Sequence, residues 1–496
     1  MRRYYYRFCI WVLLTIIVFS PTIMREIGWA SSSNGAATIF SPNRIGGASG
    51  YNDERDVDIY SAIAYDPAVG RYLVVWMTPR NARSSSEGFD VYGVFLDQTG
   101  KAMGSEFRIS DDNTAARSAP PAVAAGNGEF AVAWTKRGTP CQIYVQRIVD
   151  SASRSDRLLV SGTGHHHSPA LVYNRARRRY VLAYVEGDDY LPPTFFGAQT
   201  ADCGNNASST SRIKEMEFYF SGDSPVKGSD INISDGNAGA FRPRLAYSAG
   251  LSQYLVVWED RRNAGGETYR FDVYAQRLGS HLTITGSNFP LATGGDYTNY
   301  DTSATWTPRP VAAGGNDHFL AAWFERSVED DAVIWSVKGR LVSTTGTGGT
   351  PFIIAEMPFA QSHAGQSPTG FLAAAYLNTA QEYMVGLTTH LESLWGYRSF
   401  ALVQRVNNNG QLLRMDGTLQ DTPGVGYSVD YENEDQIAIG VATNPVGGVR
   451  MADYMVVYGK HLRNEPAQDY DIWSVRIQIP APYQKSVYLP FVYKGR

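Results

Sequence analysis

The segment Tyr254-Leu-Val-Val-Trp258 decides how this chain folds. Two large aromatic residues stand four positions apart, with only branched apolar residues between them. Such a run has no polar side and suits a strand packed on both faces. Upstream, Pro243-Arg-Leu-Ala-Tyr247 reads as a short strand entered through proline, and a Gly-containing turn joins the two as a hairpin. Downstream, Asp272-Val-Tyr-Ala-Gln-Arg-Leu278 reads as a third strand.

The same order of parts recurs along the chain. Aromatic pairs start at Tyr72 (YLVVW), Phe130 (FAVAW), Tyr180 (YVLAY), Phe319 (FLAAW), Tyr383 (YMVGL, with the second aromatic lost) and Tyr454 (YMVVY). The starts lie roughly 64 residues apart on average. First strands such as Pro121-Ala-Val-Ala and Pro310-Val-Ala-Ala are built from small residues, as strands converging on an axis must be. Weaker fourth strands follow at Phe107–Ser110, Ile231–Ser234 and Phe352–Ala355. Four antiparallel strands repeated seven times predict an all-β protein, a β-propeller of seven blades. Two stacked β-sandwiches are the alternative, while a parallel α/β fold lacks its helices. The seventh unit ends near Ile479 without a fourth strand, and Ala37-Thr-Ile-Phe-Ser41 is left without a unit. The N-terminal segment is therefore expected to complete the last blade and close the ring.

On its Tyr-Leu-Val-Val-Trp cores and Asp-Val-Tyr-x-x-Arg-Leu third strands, the chain resembles secreted bacterial β-propeller repeat proteins over residues 37 to 480. The Trp-Asp dipeptide of WD40 blades, the paired glycines of kelch blades and the Asp box of sialidases are not found in its repeats.

Composition sets the remaining bounds. The 496 residues are 43% hydrophobic and 19% charged, and 12% are aromatic, which excludes an intrinsically disordered chain. A net charge of −4 and a pI of about 6.1 argue against nucleic acid as a partner. Residues 1–30 read as a signal peptide: Arg2, Arg3 and Arg7 precede the apolar run Phe8–Phe19, and Gly28-Trp29-Ala30 offers a cleavage site. An uncleaved anchor reaching Ile23 is the rival reading. The expected division is 1–30 signal, 31–480 propeller and 481–496 a C-terminal tail, with no membrane span after signal removal and a secreted or cell-surface location. Cys9 leaves with the signal, so Cys141 and Cys203 remain, either as a disulfide closing a loop of about 60 residues or as two separate thiols. The segment Thr200–Lys227 departs from the repeat and reads as an insertion after the third strand of the third unit.

Motifs of high specificity for catalysis are not found, so function has to be argued from the loops at one end of the ring. The candidate ligand-binding residues are Glu259, Asp260 and Arg261 after a second strand, with Arg242 and Arg309, each standing before a first-strand proline. In the run His165-His166-His167, alternation along an extended chain allows His165 and His167 to hold a metal, a solvated loop being the alternative. No cofactor is expected otherwise; calcium or another divalent cation at the acidic linkers is the alternative. The reading is an exported, non-catalytic propeller that binds an extracellular polysaccharide, peptide or surface protein. A carbohydrate-active hydrolase or lyase using carboxylates at the axial mouth is the first alternative, and a structural envelope protein the second.

Overall fold

A computed structural model describes residues 37–46, 59–79, 89–111, 115, 120–152, 155–188, 203–204, 210–235, 239–265, 270–296, 309–329, 332–359, 371–393, 396–424, 426–430, 436–444, 451–461 and 470–480. The signal reading and the C-terminal tail lie outside these residues.

The second strands show why the chain forms a ring. Tyr72–Trp76 and its counterparts are buried along their whole length. A strand sends alternate residues to opposite faces. The two aromatics of each pair, four apart, therefore share a face, and the residues between them divide. In blade 4, Tyr254, Val256 and Trp258 pack toward blade 3, while Leu255 and Val257 pack toward blade 5. Repeating this split gives seven separate apolar clusters, one at each contact between neighbouring blades. Trp76, Trp134, Trp258 and Trp323 are fully buried in them, and truncating any one to Ala costs about 3–5 kcal/mol.

The seven sheets are as follows. Blade 1 comprises Ile59–Asp66, Arg71–Thr78, Asp90–Leu96 and Phe107–Arg108. Blade 2 comprises Ala122–Ala125, Phe130–Lys136, Gln142–Ile148 and Arg157–Val160. Blade 3 holds His166–Asn174, Arg179–Glu186 and Arg212–Ser221, with Ser224–Lys227 and Ile231–Asn232 both paired to the third strand. Blade 4 is Ala240–Ser248, Gln253–Asp260, Arg270–Gly279 and Ile284–Asp296. Blade 5 is Val311–Gly314, Phe319–Glu329, Ala332–Ser343 and Gly346–Phe359. Blade 6 is Leu372–Leu377, Glu382–Ser393 and Gly396–Asn407, with Leu412–Leu413 and Tyr427–Ser428 outside. Blade 7 is Gln436–Asn444, Met451–His461 and Tyr470–Pro480. Its outer strand comes from the N-terminus: Thr38 pairs with Gln478, Ile39 with Ile477 and Asn43 with Ser474. Inner strands of successive blades lie side by side, and Gln436–Asn444 meets Ile59–Asp66 to complete the circle.

Crowding at the hub explains its small residues. A Cβ on Gly314 would stand 2.2 Å from the Tyr247 carbonyl oxygen of blade 4. In blade 6, where the second aromatic is lost, a Cβ on Gly386 would meet Ile439 of blade 7 at 2.8 Å. Leu387, which stands in place of the ring, packs on the opposite face, toward blade 5.

Two features correct the sequence reading. The third strand of blade 3 is Arg212–Ser221, so Cys203 precedes it and lies in the connection between second and third strands. The histidine run is not wholly linker, because His166 and His167 open the inner strand of blade 3 and are buried. Among the described residues, no helix is long and apolar enough to cross a membrane.

Candidate functional site at the axial mouth

Inner strands enter the ring through a bulge. Register shifts fall between Ile59 and Ala62, His167 and Ala170, and Phe241 and Arg244. Within these bulges Tyr60, Ser168 and Arg242 take φ values of +59°, +56° and +49°, and Arg309, just before its inner strand, takes +42°. A left-handed conformation is uncommon for residues with side chains, and such strain collects where side chains must be aimed. Three of the four precede proline, which is how the sequence marked Arg242 and Arg309.

Arg242 and Arg309 meet at Glu259. Its carboxylate is fully buried and accepts the Arg242 guanidinium at 2.5 Å through Oε2 and the Arg309 backbone N–H at 3.0 Å through Oε1. A third guanidinium, Arg244, joins them from the inner strand; it donates to the Pro243 carbonyl at 3.0 Å. Burial pushes Arg244 down to about 10, with Glu259 opposing the shift and Arg242 and Arg309 adding to it. Burial likewise lowers Arg309. Arg244 and Arg309 nevertheless stay protonated at neutral pH. Three guanidinium groups thus gather around the Glu259 carboxylate.

An aromatic pair borders this charge. The Arg309 guanidinium lies over the Phe371 ring, 4.9 Å from its centroid, and Tyr60 meets the same ring edge-on at 5.4 Å. Phe371 is held by its backbone, donating to Thr388 Oγ1 at 3.1 Å and accepting the Thr388 N–H at 3.0 Å. Blades 1, 4, 5 and 6 thus each supply part of one site.

The remaining candidates divide. Asp260 follows Glu259 on the strand and faces the other way. It accepts Trp258 Nε1 at 2.7 Å and Arg262 Nε and Nη2, each at 2.8 Å. Arg261 is buried over the Phe271 ring at 5.5 Å. The structure therefore brings Glu259, Arg242 and Arg309 together and sets Asp260 and Arg261 apart from them. Arg244, Tyr60 and Phe371 escaped the sequence reading. An arginine inside a strand of small residues was the available signal for Arg244, whereas Tyr60 lacks the proline that marks its counterparts.

His165 and His167 do not share a ligand position. His165 Nδ1 accepts the Cys141 N–H at 3.1 Å, whereas His167 Nδ1 lies 3.0 Å from Ser168 Oγ. Cys141 and Cys203 form the disulfide, with Cα atoms 5.5 Å apart. A cavity of about 240 Å³ opens between blades 2 and 3, lined by residues that include His166, Tyr184, Glu186, Lys227 and Asp230. Lys214 bridges Glu186 at 2.9 Å and Asp230 at 3.2 Å there. Burial holds the His166 imidazole below its usual range, opposed by Glu186 with Nε2 3.7 Å away.

No protein-family model matches the sequence, and no curated protein resembles it. Solved propeller structures are loosely similar in shape. The α-L-arabinanase of Penicillium chrysogenum, complexed with arabinobiose, is 12% identical, with 89% of this chain and 98% of that one covered and a TM-score of 0.42. Trypanosoma rangeli sialidase with the inhibitor DANA is 7% identical over 77% of this chain and 57% of that one, with a TM-score of 0.41. A subtype N11 neuraminidase-like protein of A/flat-faced bat/Peru/033/2010 is 8% identical over 93% and 98%, with a TM-score of 0.42. Likeness this loose carries no argument about activity, and the chain's architecture rests on its own seven sheets.

Proposed function

We propose that this protein works outside the cytoplasm as a propeller that binds an acidic polysaccharide, one bearing carboxylate groups, at its axial mouth. The single observation that carries this reading is the clustering of the Arg242, Arg244 and Arg309 guanidinium groups around Glu259 at the mouth. Guanidinium groups in a partly desolvated site favour planar, charge-assisted hydrogen bonds to carboxylates. The Tyr60 and Phe371 rings alongside offer an apolar surface for the face of a sugar ring. The Cys141–Cys203 disulfide and the apolar N-terminal run favour an oxidising compartment.

A second reading keeps the ligand and adds chemistry: a hydrolase or lyase acting on the same polymer. The four left-handed residues at the mouth favour it, because stored backbone strain is a feature of catalytic sites. Binding remains the primary reading because Glu259 already holds Arg242 and the Arg309 backbone.

Calorimetry with oligogalacturonate and its methyl ester tests both. The acidic oligomer is expected to bind and the ester to bind much more weakly. Arg309→Ala and Arg244→Ala should each lower affinity about 10- to 100-fold, the loss of one charge-assisted contact. Equal binding of acid and ester sinks the proposal. Release of reducing ends, or of unsaturated sugar absorbance, in the same mixture would move the protein to the enzymatic reading.

A further inference from the structure

The disulfide has a neighbour that its structural role does not require. Cys141 Sγ, Cys203 Sγ and an imidazole nitrogen of His165 all lie within 4.8 Å of one another. They come from three places in the chain: the edge of the third strand of blade 2, the linker into blade 3, and the connection before the third strand of blade 3. Both cysteines are fully buried.

Backbone hydrogen bonds hold Cys141 and the His165 linker independently of the sulfur–sulfur bond. His166 N–H donates to the Cys141 carbonyl at 3.0 Å, and Gly187 N–H to the His165 carbonyl at 2.9 Å. A Cβ on Gly204, next to Cys203, would meet Asp188 Oδ1 at 2.8 Å, so that segment packs closely on the end of blade 3. Reduction then leaves the Cys141 thiol and the His165 imidazole in place beside the closely packed segment that carries Cys203.

Two thiolates and an imidazole form a soft to borderline set, matched to zinc-like cations and poorly matched to calcium or magnesium. Zinc–sulfur distances of about 2.3 Å place two ligand sulfurs under 4 Å apart, inside the span of this cluster. We propose that, once the disulfide is reduced, Cys141, Cys203 and His165 bind one thiophilic divalent cation, so that a metal takes over the joint between blades 2 and 3. Reduction adds two electrons and two protons across the S–S bond, supplied by a dithiol that becomes its own disulfide. The cation then displaces both thiol protons to solvent, and the fourth position is left to water. The inference does not depend on what binds at the axial mouth.

The test uses the full chain carrying Cys9→Ser. It is reduced with a phosphine, which takes oxygen from water and leaves no competing thiol, and titrated anaerobically with cadmium. The expected result is a thiolate-to-cadmium charge-transfer band saturating at one cation per chain in the reduced protein and missing in the oxidised one. His165→Ala should weaken binding about 10- to 100-fold while retaining the band, and Cys203→Ser should abolish the one-to-one band. Thermal melts of the reduced chain should rise on adding zinc. No saturable band, a band unaffected by both substitutions, or a reduced chain that loses its fold and is not restored by zinc overturns the proposal.

Discussion

Glu215 is the residue that fits its surroundings least. It stands opposite Ala183, at the place where the other blades put Gly93, Val145, Ala275, Gly339, Val403 and Ser474. Its carboxyl is fully buried beside Tyr254, and among the described residues neither oxygen has a hydrogen-bond partner. Burial pushes it up to about 8, above the roughly 4.3 of an unfolded chain. The folded protein thus keeps a proton that the unfolded chain releases. Its stability is full below about pH 4 and falls as pH rises from there to about 8. Glu215→Gln should flatten that fall and stabilise the protein by about 1–3 kcal/mol at pH 8. Denaturant titrations of both proteins at pH 5 and pH 8 check it, and equal slopes against pH would refute it. Glu215 escaped the sequence reading because its strand was not recognised, whereas Arg242 and Arg309 were marked by the prolines after them. Which of Glu259 and Asp260 faces the mouth depends on strand register, which the run of four charged residues does not disclose.

At the scale of the strand, the repeat motif conceals two fastenings. The aspartate near the start of the third strands of blades 1, 4 and 7 holds the outer strand. Asp90 takes Arg108 through Nε at 2.9 Å, Asp272 takes the Gly294 N–H at 2.9 Å, and Asp471 takes Arg44 at 2.8 Å. In blades 6 and 7 the first aromatic of the second strand fastens the blade to the one before: Tyr383 donates to the His318 carbonyl at 2.7 Å and Tyr454 to the Glu382 carbonyl at 2.9 Å. Burial raises both phenols, so both keep their protons. The motif was plain in the sequence, but its partners lie a blade away or, for Arg44, at the far end of the chain. In blade 3 the third strand begins with Arg212 in place of aspartate and is crossed by Lys214 and Glu217, so it read as an insertion. Because Arg44 is partly exposed, losing its bond to Asp471 should cost about 1–2 kcal/mol. Asp471→Asn is expected to lower stability by that amount and to speed amide exchange in residues 38–46. A variant that melts lower while exchange there stays unchanged would place the loss elsewhere.

At the scale of the molecule, sealing a ring of sheets requires each blade to have a neighbour on both sides and every sheet to end in a covered or short edge. Six blades complete their sheets from local sequence. The seventh cannot, and the unmatched strand at Ala37–Ser41 makes this visible in the sequence, since a missing fourth strand and a surplus one imply each other. Without residues 37–46, the third strand Tyr470–Pro480 would present a long edge whose N–H and C=O groups had lost Thr38, Ile39 and Asn43, and Ile45 would leave the apolar cluster between blades 7 and 1. An open edge of that kind pairs with whatever extended chain it meets. Deleting residues 37–46 should therefore lower the melting temperature and drive concentration-dependent association, read by light scattering after size exclusion. A synthetic peptide of residues 37–46 added in trans should reverse both, because it supplies the same strand register and the Arg44 side chain to Asp471. Arg44→Ala in that peptide should rescue less well than the natural sequence. A deletion that stays monomeric with an unchanged melting temperature would mean that the blade contacts alone hold the ring, and that the N-terminal strand is an ornament on a structure already closed.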